Sequence, residues 1–226
     1  LGICFKPVVR GGDNMIHANF KEELEARRSI VKWGKELYYN SMVKGSGGNI
    51  SIKVNDTIIL TPTGYFLGHL TEDCLSKIDI TGNLIDGLKP TKELPMHLEA
   101  YASNPNTKAV VHVHPIYSIA LASMLPPDTY MPIYLPSVAA KVGRVRIIPF
   151  RIPGTSDLAK IVGDELSKSS AVLLSNHGLV ATGKSVEEAV SIAYEIEENA
   201  HLYFVTGGNI KPLSDEVLVN ILRKYT

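Results

Sequence analysis

The stretch "KAVVHVHP", residues 108–115, sets an apolar run against two histidines and stops at a proline. Val110, Val111 and Val113 are β-branched and suit a buried strand, while Pro115 lacks the N–H needed to continue a ladder. Alternate side chains of a strand share a face, so His112 and His114 point the same way with roots about 7 Å apart. Two imidazoles placed so can converge on one ion. A lone pair of this kind is more often two polar residues on a solvated face.

Outward along the chain, "AVLLSNHG" (171–178) puts His177 directly after a second apolar run and before Gly178. That is the same strand-end position, where α/β sheets place their ligand sites. His17 and His69 lie in polar, turn-like surroundings, and His97 and His201 lie within helical stretches where surface or packing roles are expected. Three strand-end histidines with a fourth position open make the donor set of a catalytic metal.

The surrounding pattern alternates helices and strands. Residues 19–43 read as a long amphipathic helix, and two β-rich runs around Asn55-Asp56 read as a hairpin. "SKIDI" reads as a strand, and "ELPMHLEAYAS" as a helix that tolerates Pro95 in its first turn. A helix is expected from Pro115 to Met124, and buried strands at "VRIIPF" and "AVLLSN". A long helix from Ser185 should stop at Gly207-Gly208, and a terminal helix should start at a Ser214 or Asp215 cap. The expected fold class is α/β, a mixed sheet sandwiched by helices.

With no repeat, low-complexity tract or linker, residues 19–226 read as one domain behind an N-terminal extension, 1–18. Met15 looks like a natural start, with 1–14 an added or loose lead. Lys plus Arg and Asp plus Glu both number 23, so no global field draws the chain to nucleic acid or an anionic membrane. Two cysteines without a CxxC spacing argue against a disulfide scaffold and for a reducing, cytoplasmic setting. No apolar run approaches the roughly 20 residues of a membrane span.

Three turns carry hydroxyls and glycines. "GSGGNIS" (45–51) offers Ser46, Gly48 and Asn49, "TPTG" (61–64) offers Thr63 and Gly64, and "KPTKE" (89–93) sets Thr91 and Lys92 beside Glu93. Glycines let successive backbone N–H groups turn toward an anion, although the Lys-Ser/Thr ending of a P-loop is missing. Each turn alone is ordinary. Together, beside a metal, they point to a phosphate pocket in which Lys92 supplies local positive charge. Glu93 suits a general acid/base and equally a helix N-terminal acid that favours the macrodipole.

In this order and spacing, "GGNIS", "TPTG", "KPTKE", "AVVHVH" and "SNHG" resemble the class II aldolase/adducin family, from about residue 22 to the C-terminus. The resemblance implies that His112, His114 and His177 bind one divalent metal, usually zinc. It makes Glu93 the acid/base glutamate, able also to touch the metal, and places Ser46, Gly48, Asn49, Thr63, Gly64 and Thr91 in the phosphate pocket. It implies a three-layer αβα fold around an antiparallel-rich mixed sheet, and a homotetramer with sites between subunits. Aldolases of the family usually carry two serines before the glutamate, whereas this chain has "PTKE". With "TPTGYFLGHLTEDCLSK" and "IPFRIPG", that points to the 3-oxo-tetronate 4-phosphate decarboxylase branch, where Lys92 would neutralise a substrate carboxylate. Tyr134 is the candidate for a tyrosine donated by a neighbouring subunit, with Tyr130 second.

The implied activity is a metal-dependent carbon–carbon lyase working on a small phosphorylated sugar or sugar acid through an enediolate. Carbon dioxide leaves in a decarboxylase, and an aldehyde leaves in a ketose-1-phosphate aldolase. A pentulose-phosphate 4-epimerase needs an additional acid/base pair opposite the metal, which the sequence does not offer. A non-enzymatic, adducin-like module would be expected to have lost the ligand histidines.

Overall fold

The computed structural model describes residues 11–225, so the expectation for residues 1–10 lies outside the described residues. Helix α1 (Gly11–Tyr39) leads into the hairpin of β1 (Asn49–Val54) and β2 (Thr57–Leu60), then β3 (Ser76–Asp79) and β4 (Leu84–Asp86). Asn55, in the hairpin turn, takes φ 51°, a conformation asparagine tolerates well. Helix α2 (Leu94–Ser103) precedes β5 (Ala109–Val113), α3 (Ile116–Met124), β6 (Thr129–Tyr130), α4 (Pro136–Lys141) and β7 (Arg146–Ile148). Helix α5 (Ser156–Leu166), the hairpin of β8 (Ala171–Leu174) and β9 (Gly178–Gly183), α6 (Val186–Val205) and α7 (Asp215–Tyr225) complete the order.

The strands make one sheet in the order β4-β3-β2-β1-β5-β9-β8-β7-β6. Every pairing is antiparallel except β7 with β8, whose right direction is supplied by the α5 crossover. Alternation along the strands divides the core. Ala109, Val111 and Val113 of β5 pack with residues of α1, α3, α4 and α6 on one face. Val110, with Val172 and Leu174 of β8, packs on the other face against Met96, Ala100 and Tyr101 of α2 and Leu158 and Val162 of α5. The architecture is the expected three-layer α/β sandwich.

Some expectations shift in detail. The first helix begins at Gly11 rather than 19 and ends at Tyr39 rather than 43, where Ser41 turns to φ 60° and Met42 and Val43 enter the core as irregular chain. His69 sits in a short 3₁₀ turn, its ring stacked on Phe66, rather than in a loose polar turn. Ser214, not Asp215, caps the last helix, its Oγ accepting from the Val217 N–H.

Candidate metal centre and phosphate pocket

Strand β1 lies beside β5 with Asn49 opposite His112 and Ser51 opposite Val110, and α2 covers that face of the sheet. His112 is fully buried near the end of β5, and His114 follows one residue past the strand. His177 belongs to the tight β8–β9 turn, where Asn176 takes φ 57°. The three rings converge, with centroids 4.7 Å (His112–His114), 4.9 Å (His112–His177) and 5.4 Å (His114–His177) apart. Gly48, at φ +72°, packs against the β5 backbone, where any Cβ would lie 2.9 Å from the His112 carbonyl oxygen, and a Cβ at Gly47 would lie 2.6 Å from His114 Nδ1.

Glu93 completes the cluster from the N-cap of α2, with its ligand atom within 4.8 Å of those of all three histidines. Its Oε2 stands 3.1 Å from His112 Nε2, and its Oε1 3.2 Å from His177 Nε2. Burial pushes the Glu93 carboxyl up, but the neighbouring His112 and His177 imidazoles and the hydrogen bond from Asn49 hold it well below the usual carboxylate range. Burial, with the neighbouring His112 and His177 charges, brings His114 down to about 3.

The residues fit a divalent cation. His112 Nδ1–H donates to the Leu179 carbonyl at 3.0 Å, so Nε2 of a neutral His112 is a bare lone pair. That lone pair faces His114 Nε2 at 2.9 Å as well as the Glu93 carboxylate. Lone pairs and a carboxylate crowd together in this way when positive charge lies among them. Ligand atoms at about 2.0–2.1 Å from a tetrahedral ion stand about 3.3 Å apart, close to the separations here.

Beside the cluster opens a cavity of about 390 Å³, the size of a small-metabolite site. Ser46, Gly48, Asn49, Thr63, Gly64, Thr91, Lys92 and Glu93 all line it, with His114 and His177 at one end. The three turns separated in sequence are therefore one wall. The exposed Lys92 makes no hydrogen bond or ion pair among the described residues, so its ammonium is available to the cavity. Tyr134 is not among the lining residues of a single chain; its backbone N–H is held by Asn199, and burial with the nearby Tyr203 pushes its hydroxyl up. Tyr130 lies on β6, its ring 5.5 Å from the Arg144 guanidinium.

Pro153 and Gly154, the end of the "IPFRIPG" stretch, line the cavity from a distant loop. One contribution escapes the motifs. His97, expected in a surface or packing role, is fully buried and hydrogen-bonds Asn49, which in turn bonds Glu93. Glu93 and His97 are four residues apart and share a face, but a histidine that only packs would show the same spacing.

Comparison with known proteins agrees with this geometry. Residues 28–204 match the family described as Class II Aldolase and Adducin N-terminal domain. A 3-oxo-tetronate 4-phosphate decarboxylase of Pectobacterium atrosepticum is 38% identical over 197 residues, 86% of this chain and 90% of that protein. An L-fuculose phosphate aldolase of Methanococcus maripaludis is 36% identical over 177 residues, 78% of this chain and 95% of that protein. The crystal structure of Escherichia coli YgbL, for which an aldolase, epimerase or decarboxylase activity is suggested, superposes with a TM-score of 0.84 at 32% identity, covering 88% of this chain and 99% of that one.

Proposed function

The chain belongs to the class II aldolase and adducin family, and from that premise we propose that it is a metal-dependent carbon–carbon lyase that decarboxylates a 3-oxo-tetronate 4-phosphate. The observation that carries the reading is Lys92, a cation without a side-chain partner among the described residues, in the same cavity as Glu93, the histidines and the glycine turns. A substrate with a phosphate at one end and a carboxylate at the other needs two positive poles besides the metal site. The turns and Lys92 offer both.

His112, His114 and His177 would hold the cation, with zinc the best match to an all-imidazole set. Bound there, it would supply Lewis-acid stabilisation for charge developing on the substrate's oxygens. Backbone N–H groups at Gly48 and Gly64, with the hydroxyls of Thr63 and Thr91, whose own N–H groups bond the Lys89 and Thr61 carbonyls, receive the phosphate. Lys92 orients the carboxylate. When its bond to C2 breaks, carbon dioxide departs and the bonding pair enters the C2–C3 enediolate. One proton must then reach C2. Glu93 takes it from water, its neutral form favoured by the anionic substrate alongside, and delivers it to leave a triose phosphate.

The site is proposed to be completed in a homotetramer, with Tyr134 contributed across an interface, and the protein to work in a reducing, cytoplasmic setting. Among the described residues no helix is long and apolar enough to cross a membrane.

The second reading, a ketose-1-phosphate aldolase, is favoured by the similarity to L-fuculose phosphate aldolases. It uses the same residues and differs in the group that leaves. The metal-loaded protein should be given 3-oxo-tetronate 4-phosphates and ketose 1-phosphates, and carbon dioxide scored against aldehyde. Carbon dioxide from the first substrate is expected; aldehyde from the second with no carbon dioxide from the first would establish the aldolase instead.

A further inference from the structure

The acid/base carboxylate does not stand alone at the mouth of α2. Glu93, His97 and Tyr101 recur every four residues and share one face of the helix, while Asn49 and Ser51 share one face of β1 beneath it. The two sets interlock. Tyr101 Oη lies 2.8 Å from Ser51 Oγ, which lies 2.7 Å from His97 Nδ1. His97 Nε2 bonds Asn49 Oδ1, and Asn49 Nδ2 donates to Glu93 Oε2 at 2.9 Å. Ser51 and His97 are 0% exposed, Asn49 3% and Tyr101 7%, so no solvent competes for these groups.

We infer that His97 is a positioning residue for the proposed lyase reaction: it locks the Asn49 amide in one orientation, and the amide in turn aims the Glu93 carboxylate at the metal site. The claim rests on the role given to Glu93 above.

Each link has a single allowed direction. A carboxylate only accepts, so Asn49 must present its NH₂ to Glu93 and its carbonyl oxygen to His97. His97 therefore carries its proton on Nε2, and its bare Nδ1 takes the Ser51 hydroxyl proton. Ser51 has then used its donor and accepts from the Tyr101 phenol. A flipped Asn49 would set oxygen against the carboxylate and NH₂ against N–H, two repulsions in a site without water. Burial keeps His97 neutral, as the chain requires, by holding it down to about 3.

The consequence for Glu93 is geometric. Asn49 holds Oε2 beside His112 Nε2, which leaves Oε1, buried and without a hydrogen-bond partner among the described residues, against His177 Nε2. Asn49 spends its carbonyl and one N–H on this task and its backbone on the pairing with His112, so its share in phosphate binding falls to the remaining side-chain N–H.

His97→Asn keeps an acceptor for Ser51 but is too short to reach Asn49, whereas His97→Gln extends a donor to about the Nε2 position. With the metal-loaded protein and a 3-oxo-tetronate 4-phosphate, His97→Asn should lower kcat about 10- to 100-fold while KM and metal content stay near wild type. His97→Gln should recover most of that loss. Equal kcat for both variants and wild type, or equal losses that merely follow the folded fraction, would overturn the role.

Two further measurements do not depend on the substrate assignment. Nitrogen-15 shifts of the wild-type ring should show His97 as the Nε2–H tautomer, and the Nδ1–H tautomer would refute the chain. Ser51→Ala, which leaves the ring in place, should admit the second tautomer and slow turnover; an unchanged tautomer with unchanged turnover would sink the proposal even if His97→Asn does not fold. Should the wild type release no carbon dioxide, the substrate assignment fails while the tautomer arm still decides for or against the His97 lock.

Discussion

One imidazole lost from the cluster leaves only two nitrogen ligands beside the Glu93 carboxylate, so His112→Ala, His114→Ala and His177→Ala should each lose most of the bound metal. Elemental analysis after dialysis against metal-free buffer tests this, and full occupancy in all three variants would remove the cluster from consideration. Lys92 acts on a different quantity. Lys92→Ser should leave metal content unchanged but lower decarboxylation about 100-fold, the scale of losing a few kcal/mol of charge pairing. Loss of metal together with activity would instead make Lys92 structural. Residues of this kind were legible because their chemistry is rare in sequence: His112, His114 and His177 each stand at the end of an apolar run, which is where the sheet delivers them. His97 was not, because a histidine inside a helix looks the same whether it packs or positions. What distinguishes it is its partner Asn49 on another element, a contact that the sequence does not carry.

At the scale of elements, the strong periodic segments and their caps were readable, while short or interrupted ones were not. Helix α5 buries Leu158, Ala159, Val162 and Leu166 with sound helical spacing, yet Gly163 interrupts its pattern. The glycine is there for its neighbour: a Cβ at Gly163 would lie 3.0 Å from the Cβ of Glu99 on α2, so it permits the two helices to touch. Helix α4 spans only Pro136–Lys141, and strands β4 and β6 are three and two residues long, too short for any periodicity to show. The caps behave as their chemistry demands. Ser185 Oγ accepts from the Glu188 N–H at the start of α6, and Glu188 returns a bond to the Lys184 N–H. Ser185→Ala should therefore cost about 1 kcal/mol in urea unfolding and leave metal content unaltered. A midpoint equal to wild type would show that Glu188 alone sustains that end of the helix.

The whole molecule buries imidazoles that must be neutral in the folded state, and this couples its stability to acid. His97 is held down to about 3 against a usual 6.5, by burial first and then by the His112 charge, with Glu93 working against them. Tyr101 and Ser51 close around it from α2 and β1 and carry no charge near neutral pH. A depressed histidine favours its neutral form, so the stabilisation is complete above about pH 6.5 and is lost as pH falls from there toward about 3. His114, also brought to about 3, loses stability over the same window. Glu93, held below the usual carboxylate range, adds to the acid loss only once pH drops under 4.5. Each proton taken up on unfolding is worth about 1.4 kcal/mol per pH unit, so at pH 5 each histidine has cost the fold about 2 kcal/mol. The metal-stripped protein should accordingly show a urea midpoint that is level from pH 8 to 7 and falls steeply between pH 6.5 and 5. His97→Gln, which removes one of the two protons, should roughly halve that fall. A midpoint that stays level down to pH 5 would mean that both imidazoles accept protons inside the fold, and a Gln variant as acid-sensitive as wild type would assign the whole effect to His114.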